Sequence, residues 1–314
     1  MFWTVFIITA AVILILLAVT LYYICRKLFD MALVRGSDVV IGGDGFEKQL
    51  AEYKDMWDNG KKLFDSLDKE EVWMKSFDGL NLHATLVKNG DGKKLLIEAH
   101  GYRSSPKHDF IAAMPYFYNH GFSFLLIDQR AHGESEGDYI TFGVHERLDM
   151  RDWVYFAMEK FGTDIDIVLH GISMGATTVL LASELDLPEN VKGIIADSGF
   201  TSPYEIFARV LDHTYHAKPF PILNVAEAMA QHKANFGFKD ASTLSAMEVN
   251  KFPILFVHGE DDDFVPIEMS EATYNACKTD KAIVKVKGAR HACGYLVEKE
   301  RCEKEMDAFL AKIL

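Results

Sequence analysis

Residues 164–176 read DIDIVLHGISMGA. The first half is a short apolar strand, and a helical stretch starts near Met174. Between them lies Gly171-Ile172-Ser173-Met174-Gly175, a G-x-S-x-G pentapeptide at a strand-to-helix turn. Such a turn is sharp and strained, so it needs small residues where neighbouring chain passes close. It also lifts the serine hydroxyl above the sheet edge and points the next helix N-terminus at it. A Gly-rich βα turn with no chemistry would show the same five letters, so the surrounding chain has to decide.

A serine hydroxyl becomes a nucleophile only with a base, and the base needs an orienting acid. Of the twelve histidines, only His291, in GARHACG, lies between the last predicted strand and the last predicted helix. A loop at the strand ends can bring an imidazole over the turn. For the acid, HGEDDDFVP follows the strand FPILFV and offers Asp261, Asp262 and Asp263, which spacing alone does not separate. Asp197, after VKGIIA, is a further alternative. The order Ser…Asp…His is one that strand–turn–helix sites of this type use. An oxyanion needs N–H donors. The backbone N–H groups of Tyr102, after the strand KKLLIEA, and of Met174 are the natural pair.

Outward from this stretch the pattern is strand–helix alternation. EVWMKSF and LNLHATLVK flank Asp78-Gly79, a hairpin signal. Then come KKLLIEA, a helix near 107–119, GFSFLLIDQR, a helix near 145–160, the central turn, VKGIIADSG, FPILFVHGE, a helix near 267–277, KAIVKVKG and a helix near 294–313. Short continuous apolar runs belong to strands covered on both faces. The expectation is an α/β class with a mostly parallel sheet and an antiparallel start. Residues 200–248 break the alternation and read as a helical insertion over one end of the sheet. Residues 36–45 read as a turn-forming linker, and 46–69 as one or two amphipathic helices.

The 314 residues carry a formal charge of −13 and are 49% apolar. Much of the apolar excess sits in FWTVFIITAAVILILLAVTLYYIC, 2–25. Without it the remainder is about 46% apolar, an ordinary globular value. A helix of this length measures about 36 Å, enough to cross a ~30 Å hydrocarbon core. Trp3 and Tyr22-Tyr23 sit where interfacial aromatics belong. Nothing basic precedes residue 26, against a signal peptide. Arg26, Lys27 and Arg35 follow the segment, which places the acidic body on the cytoplasmic side. An acidic body with no basic face excludes a nucleic-acid binder. His213, His216 and His232 lack metal-ligand spacing, and no metal or cofactor is expected.

Taken in order, HGYRSS, DQRAHGESEG, HGISMGA, HGEDDDFVP and GARHACG resemble the α/β-hydrolase family of serine hydrolases. The likeness is greatest to a membrane-anchored, bacterial esterase-like branch near the serine aminopeptidases, and it covers about 70–314. It implies an α/β-hydrolase fold, in which the composition of 200–248 suggests a helical lid; length and charge make 2–25 a transmembrane anchor, and the acidic body leads 26–69 to be expected as a spacer that holds the site off the bilayer. It also implies Ser173 as nucleophile, His291 as base and Asp262 as the acid, since Asp262 fills the aspartate position of the family's HGxxDxxVP pattern. Asp128, Arg130 and His132 are implied to fix a loop. The implied activity is carboxylic-ester hydrolysis on a small-molecule or lipid-like ester. A peptidase or acyltransferase on the same triad is the near alternative, and a non-catalytic membrane-tethered scaffold the distant one. Composition suggests Phe200, Tyr204, Phe207 and Phe220 as the acyl pocket. Cys293, beside His291, departs from the family pattern and reads as a buried, inert thiol. Trp57, Trp73 and Trp153 read as packing residues.

Overall fold

The computed structural model describes residues 1–36 and 45–314, without the side chains of 45–47 and Leu50. Most of the expected turn at 36–45 therefore lies outside the described residues. The strands are β1 (Glu70–Lys75), β2 (Asn81–Val87), β3 (Lys94–Ala99), β4 (Phe122–Ile127), β5 (Asp166–Ile172), β6 (Val191–Asp197), β7 (Ile254–Gly259) and β8 (Lys281–Val286). They form one sheet in the order β1-β2-β4-β3-β5-β6-β7-β8. The β1/β2 and β2/β4 pairs are antiparallel and the rest parallel, as the alternation and the early hairpin imply.

The continuous apolar runs follow from two-sided burial. Leu95 and Ile97 of β3, Ile167 and Leu169 of β5, and Ile254 and Phe256 of β7 face one core. Leu96, Val168, Leu255 and Val257 between them face a second core on the other side. The strand order reverses at β3, because β4 lies to one side of it and β5 to the other. In open α/β sheets the crevice beyond the strand ends at such a reversal is where ligands bind.

The helices are α1 (Phe2–Leu33), α2 (Gly45–Glu52), α3 (Lys54–Ser66), α4 (Pro106–Asp109), α5 (Met114–Asn119), α6 (Glu146–Phe161), α7 (Met174–Ala182), α8 (Pro203–Tyr215), α9 (Pro219–Ala234), α10 (Thr243–Val249), α11 (Ile267–Ala276), α12 (Gly294–Val297) and α13 (Lys299–Ile313). The expected helices at 107–119 and 294–313 are each broken in two, and 200–248 is helical as expected. Trp153 is fully buried and Trp57 partly so, whereas Trp73 is half-exposed on the edge strand β1.

One boundary differs from the sequence reading. The apolar helix does not stop at residue 25 but runs on to Leu33. The chain has no Gly or Pro before Gly36 to end it, and Arg26 pairs with Asp30 one turn on (2.7 Å), so the first charges continue the helix. Through Thr20 its side chains are almost all exposed, while Cys25, Phe29 and Leu33 are buried in the body. Residues 26–33 are thus part of the core rather than a spacer. The one helix among the described residues that is long and apolar enough to cross a membrane is therefore also a structural element of the body.

Candidate active site

The turn after β5 holds Ser173 at φ 56°, ψ −115°, in the left-handed half of backbone space that a side chain rarely adopts. The flanking glycines make this possible. A Cβ on Gly171 would lie 2.2 Å from the Gly175 carbonyl oxygen, and one on Gly175 would lie 1.8 Å from the Ala99 oxygen. Only glycine lets α7 start this close to the end of β3. The Ser173 N–H donates to the Asp197 carbonyl at the end of β6 (2.8 Å), which ties the turn to the neighbouring strand.

His291 stands on the loop after β8. Its Nε2 is 2.8 Å from Ser173 Oγ and its Nδ1 is 2.7 Å from Asp262 Oδ2. Asp262 is the member of the acidic run that reaches it. Asp261 and Asp263 are exposed, and Asp263 pairs with Arg290 (3.4 Å). The other Asp262 oxygen accepts from the Phe264 and Val265 N–H groups (3.0 and 2.9 Å). Burial opposes ionisation of Asp262, but the His291 charge and the hydrogen bonds from His258 and His291 prevail and hold its carboxyl below the usual range. Burial likewise works against the charged form of His291, yet Asp262 beside it raises its pKa above the ordinary histidine value.

The sequence reading missed His258. It is fully buried, with Nδ1 2.7 Å from Ser270 Oγ, and Nε2 2.9 Å from the Val265 carbonyl and 3.2 Å from Asp262 Oδ2. It braces the acid from behind. Its only sequence signal was its place in HGEDDDFVP. Asp197 is buried, bonded to Ser198 Oγ (2.8 Å), and burial pushes it up to about 6. Its carboxylate makes no hydrogen bond to His291.

The loop after β3 lies against the turn, for a Cβ on Gly101 would stand 3.4 Å from the Ser173 Cβ. Among the described residues, neither the Tyr102 nor the Met174 N–H is taken by a protein acceptor. Three supports hold this loop. Asp109 Oδ2 accepts from the Gly101 N–H (2.6 Å), and His132 Nε2 accepts from the Arg103 N–H (3.0 Å). Burial pushes His132 down to about 3, so its lone pair stays free to accept. The third support is α1. The Tyr102 hydroxyl donates to the Ala32 carbonyl (2.9 Å), and the Arg103 guanidinium donates to those of Met31 (2.8 Å) and Val34 (2.9 Å). The last carbonyls of a helix have no intrahelical partner, and here the body supplies them. Arg130 is buried on Asp149 (2.6 Å), and Asp128 holds His83 (2.8 Å), both structural contacts.

Of the four aromatics expected to form an acyl pocket, Phe207 lines the apolar cavity beside the site. Phe200 is buried in the core behind it, and Tyr204 is partly buried under Lys239. Phe220 is 77% exposed and lines no part of this cavity. Cys293 is fully buried, and burial pushes its thiol up to about 12, the state of an inert side chain.

The prolyl oligopeptidase family model matches residues 108–314, two-thirds of the chain, from within α4 to Leu314. The chain belongs to the prolyl oligopeptidase family. It is 27% identical over 256 residues to the uncharacterized protein YqkD of Bacillus subtilis (strain 168), which covers 81% of this chain and 84% of YqkD. Among solved structures it resembles the Pyrococcus furiosus esterase Pf2001 (TM-score 0.63, 22% identity, 79% of this chain and 92% of that one). It also resembles the Pyrococcus horikoshii acylaminoacyl peptidase (TM-score 0.61, 17% identity), covering 81% of this chain but 43% of that one. These likenesses give the α/β-hydrolase fold, and the family gives a hydrolase.

Proposed function

We propose that the protein is a membrane-anchored serine hydrolase that cleaves carboxylic esters. The observation that carries this reading is the continuous chain Ser173 Oγ–His291–Asp262, with both links within 2.8 Å. His291 takes the Ser173 proton as the oxygen attacks the ester carbonyl carbon. Asp262 holds the imidazole tautomer and stabilises the imidazolium. The Tyr102 and Met174 N–H groups receive the oxyanion. As the C–O bond to the alcohol breaks, His291 passes its proton to the departing oxygen. Water, deprotonated by His291, then attacks the acyl-serine, the C–O bond to Ser173 breaks, and the proton returns to Ser173.

An ester is favoured over a peptide by the cavity beside the site, whose walls are apolar. Peptide recognition calls for polar groups that pair with the substrate backbone. The exposed length of α1 supports anchoring, and Arg26 and Lys27 at its end support a cytoplasmic body. A fluorophosphonate probe tests the mechanism: wild type labels and Ser173→Ala does not. Comparing p-nitrophenyl esters with aminoacyl p-nitroanilides tests the bond, with faster ester cleavage expected. Labelling that survives in Ser173→Ala sinks the mechanism, and faster anilide cleavage turns the reading to a peptidase.

A further inference from the structure

The cavity beside the site is built partly from the anchor. Leu28 and Leu33 of α1 form one wall, and Phe207 of α8 and Leu223 of α9 form others. Every residue that lines it is apolar or aromatic. At the site end it is bounded by Tyr102, whose N–H faces the proposed oxyanion, and by Phe264, whose ring packs edge-on against His291 at 5.1 Å. At the other end lies the point where α1 leaves the body. There Cys25 Sγ is 3.6 Å from the Ile222 carbonyl, so the start of α9 is level with the last exposed turns of the apolar helix. Ile222 and the half-exposed Tyr215 also line the cavity at this end, and the exposed Phe220 stands two residues away. Exposed aromatics beside a spanning helix belong at a membrane–water interface.

We propose that this cavity takes the acyl chain of a long-chain ester already dissolved in the bilayer, which enters at the membrane surface between α1 and the start of α9. An apolar cavity that begins at a spanning helix and ends at Tyr102 and Phe264, the neighbours of the nucleophile's turn and of His291, spares the chain a passage through water, which disfavours each exposed methylene. The carbonyl then comes to rest at Ser173 while the alcohol part stays on the polar side. This inference rests on the ester-hydrolase reading above and adds the substrate class and the role of α1 as a pocket wall.

The test uses the full chain in phosphatidylcholine vesicles with p-nitrophenyl butyrate and p-nitrophenyl palmitate. Wild type is expected to favour palmitate. Leu28→Trp and Leu223→Trp, which fill the cavity from opposite walls, are each expected to lower the palmitate-to-butyrate ratio of kcat/KM at least tenfold. Both esters are measured on one preparation, so any misfolded fraction cancels from the ratio. A ratio within twofold of wild type in both variants overturns the proposal. So does butyrate turnover with no palmitate turnover in wild type. If wild type cleaves neither ester and a fluorophosphonate does not label Ser173, the hydrolase reading itself falls and takes this one with it.

Discussion

Gly175→Ala adds one methyl group, and the structure says where it goes. The new Cβ would lie 1.8 Å from the Ala99 oxygen, 2.4 Å from its carbonyl carbon and 2.8 Å from the His100 oxygen. All three are backbone atoms at the end of the central strand, so no side chain can swing aside. To reach even a tight 3.0 Å contact, α7 and the end of β3 must separate by about 1.2 Å. The stability cost of such overpacking is about 1–3 kcal/mol. Activity should suffer more. Met174 rides on α7, and Tyr102 follows the displaced strand end by three residues, so the two oxyanion N–H groups move apart. A misplacement near 1 Å costs about 10²-fold, and loss of one donor about 10²–10³-fold. The assay is kcat on p-nitrophenyl butyrate, with active enzyme counted by fluorophosphonate titration and folding followed by thermal melts. A folded Gly175→Ala enzyme with kcat within threefold of wild type would refute the close-packed turn as the device that sets the oxyanion donors.

Four further outcomes are expected. Catalysis needs neutral His291, whose pKa is raised by Asp262, so kcat/KM should rise with pH and its acid limb should lie above the ordinary histidine value of about 6.5. Asp262→Asn should move that limb to lower pH while kcat falls about 10⁴-fold, as a pH–rate profile would show. Asp197 has its pKa raised to about 6 by burial. Its stabilising protonation is complete below about pH 4 and is lost as pH rises to 6, so Asp197→Asn should be more stable than wild type at pH 7 by on the order of 2–3 kcal/mol. Denaturant melts at pH 4 and pH 7 measure this, and the gain should appear only at the higher pH. Tyr102→Phe removes the hydroxyl bond to the Ala32 carbonyl (2.9 Å), worth about 1 kcal/mol, and should lower kcat several-fold through a looser oxyanion loop. Steady-state rates normalised by active-site titration check it.

The strands, and the mostly parallel sheet with its antiparallel start, were legible because their determinants are local. Continuous runs such as LLI and IVL need burial on two faces, and the pentapeptide 171–175 contains both glycines that the crowding demands. The acid was narrower than spacing could tell. Three aspartates adjoin in the chain, and only the fold shows that Asp262 turns inward while its neighbours face water. Other features were set by partners distant in sequence. The helix end at Leu33 is fixed by Tyr102, Arg103 and the Ile140 N–H, all at least 69 positions away. The exposure of Phe220 depends on where α9 begins against α1, which aromatic composition does not encode. His258 reads as one more strand-end histidine until Asp262, Val265 and Ser270 are seen around it.

With α1 as the proposed anchor, its continuity also governs how the protein would be separated from a membrane. A tether cut in a flexible stalk releases an intact catalytic body, as in shed ectodomains. Here Cys25, Phe29 and Leu33 just past the exposed length are buried in the body, and the final carbonyls are bonded to the loop that carries the proposed oxyanion donor. A protease finds no open backbone between Cys25 and Leu33. A recombinant body that starts at the sheet would lack both a cavity wall and a loop support. With α1 as the proposed anchor, the rod-like join would further fix the heading of the active site relative to the bilayer plane, since the body cannot swivel without bending a helix.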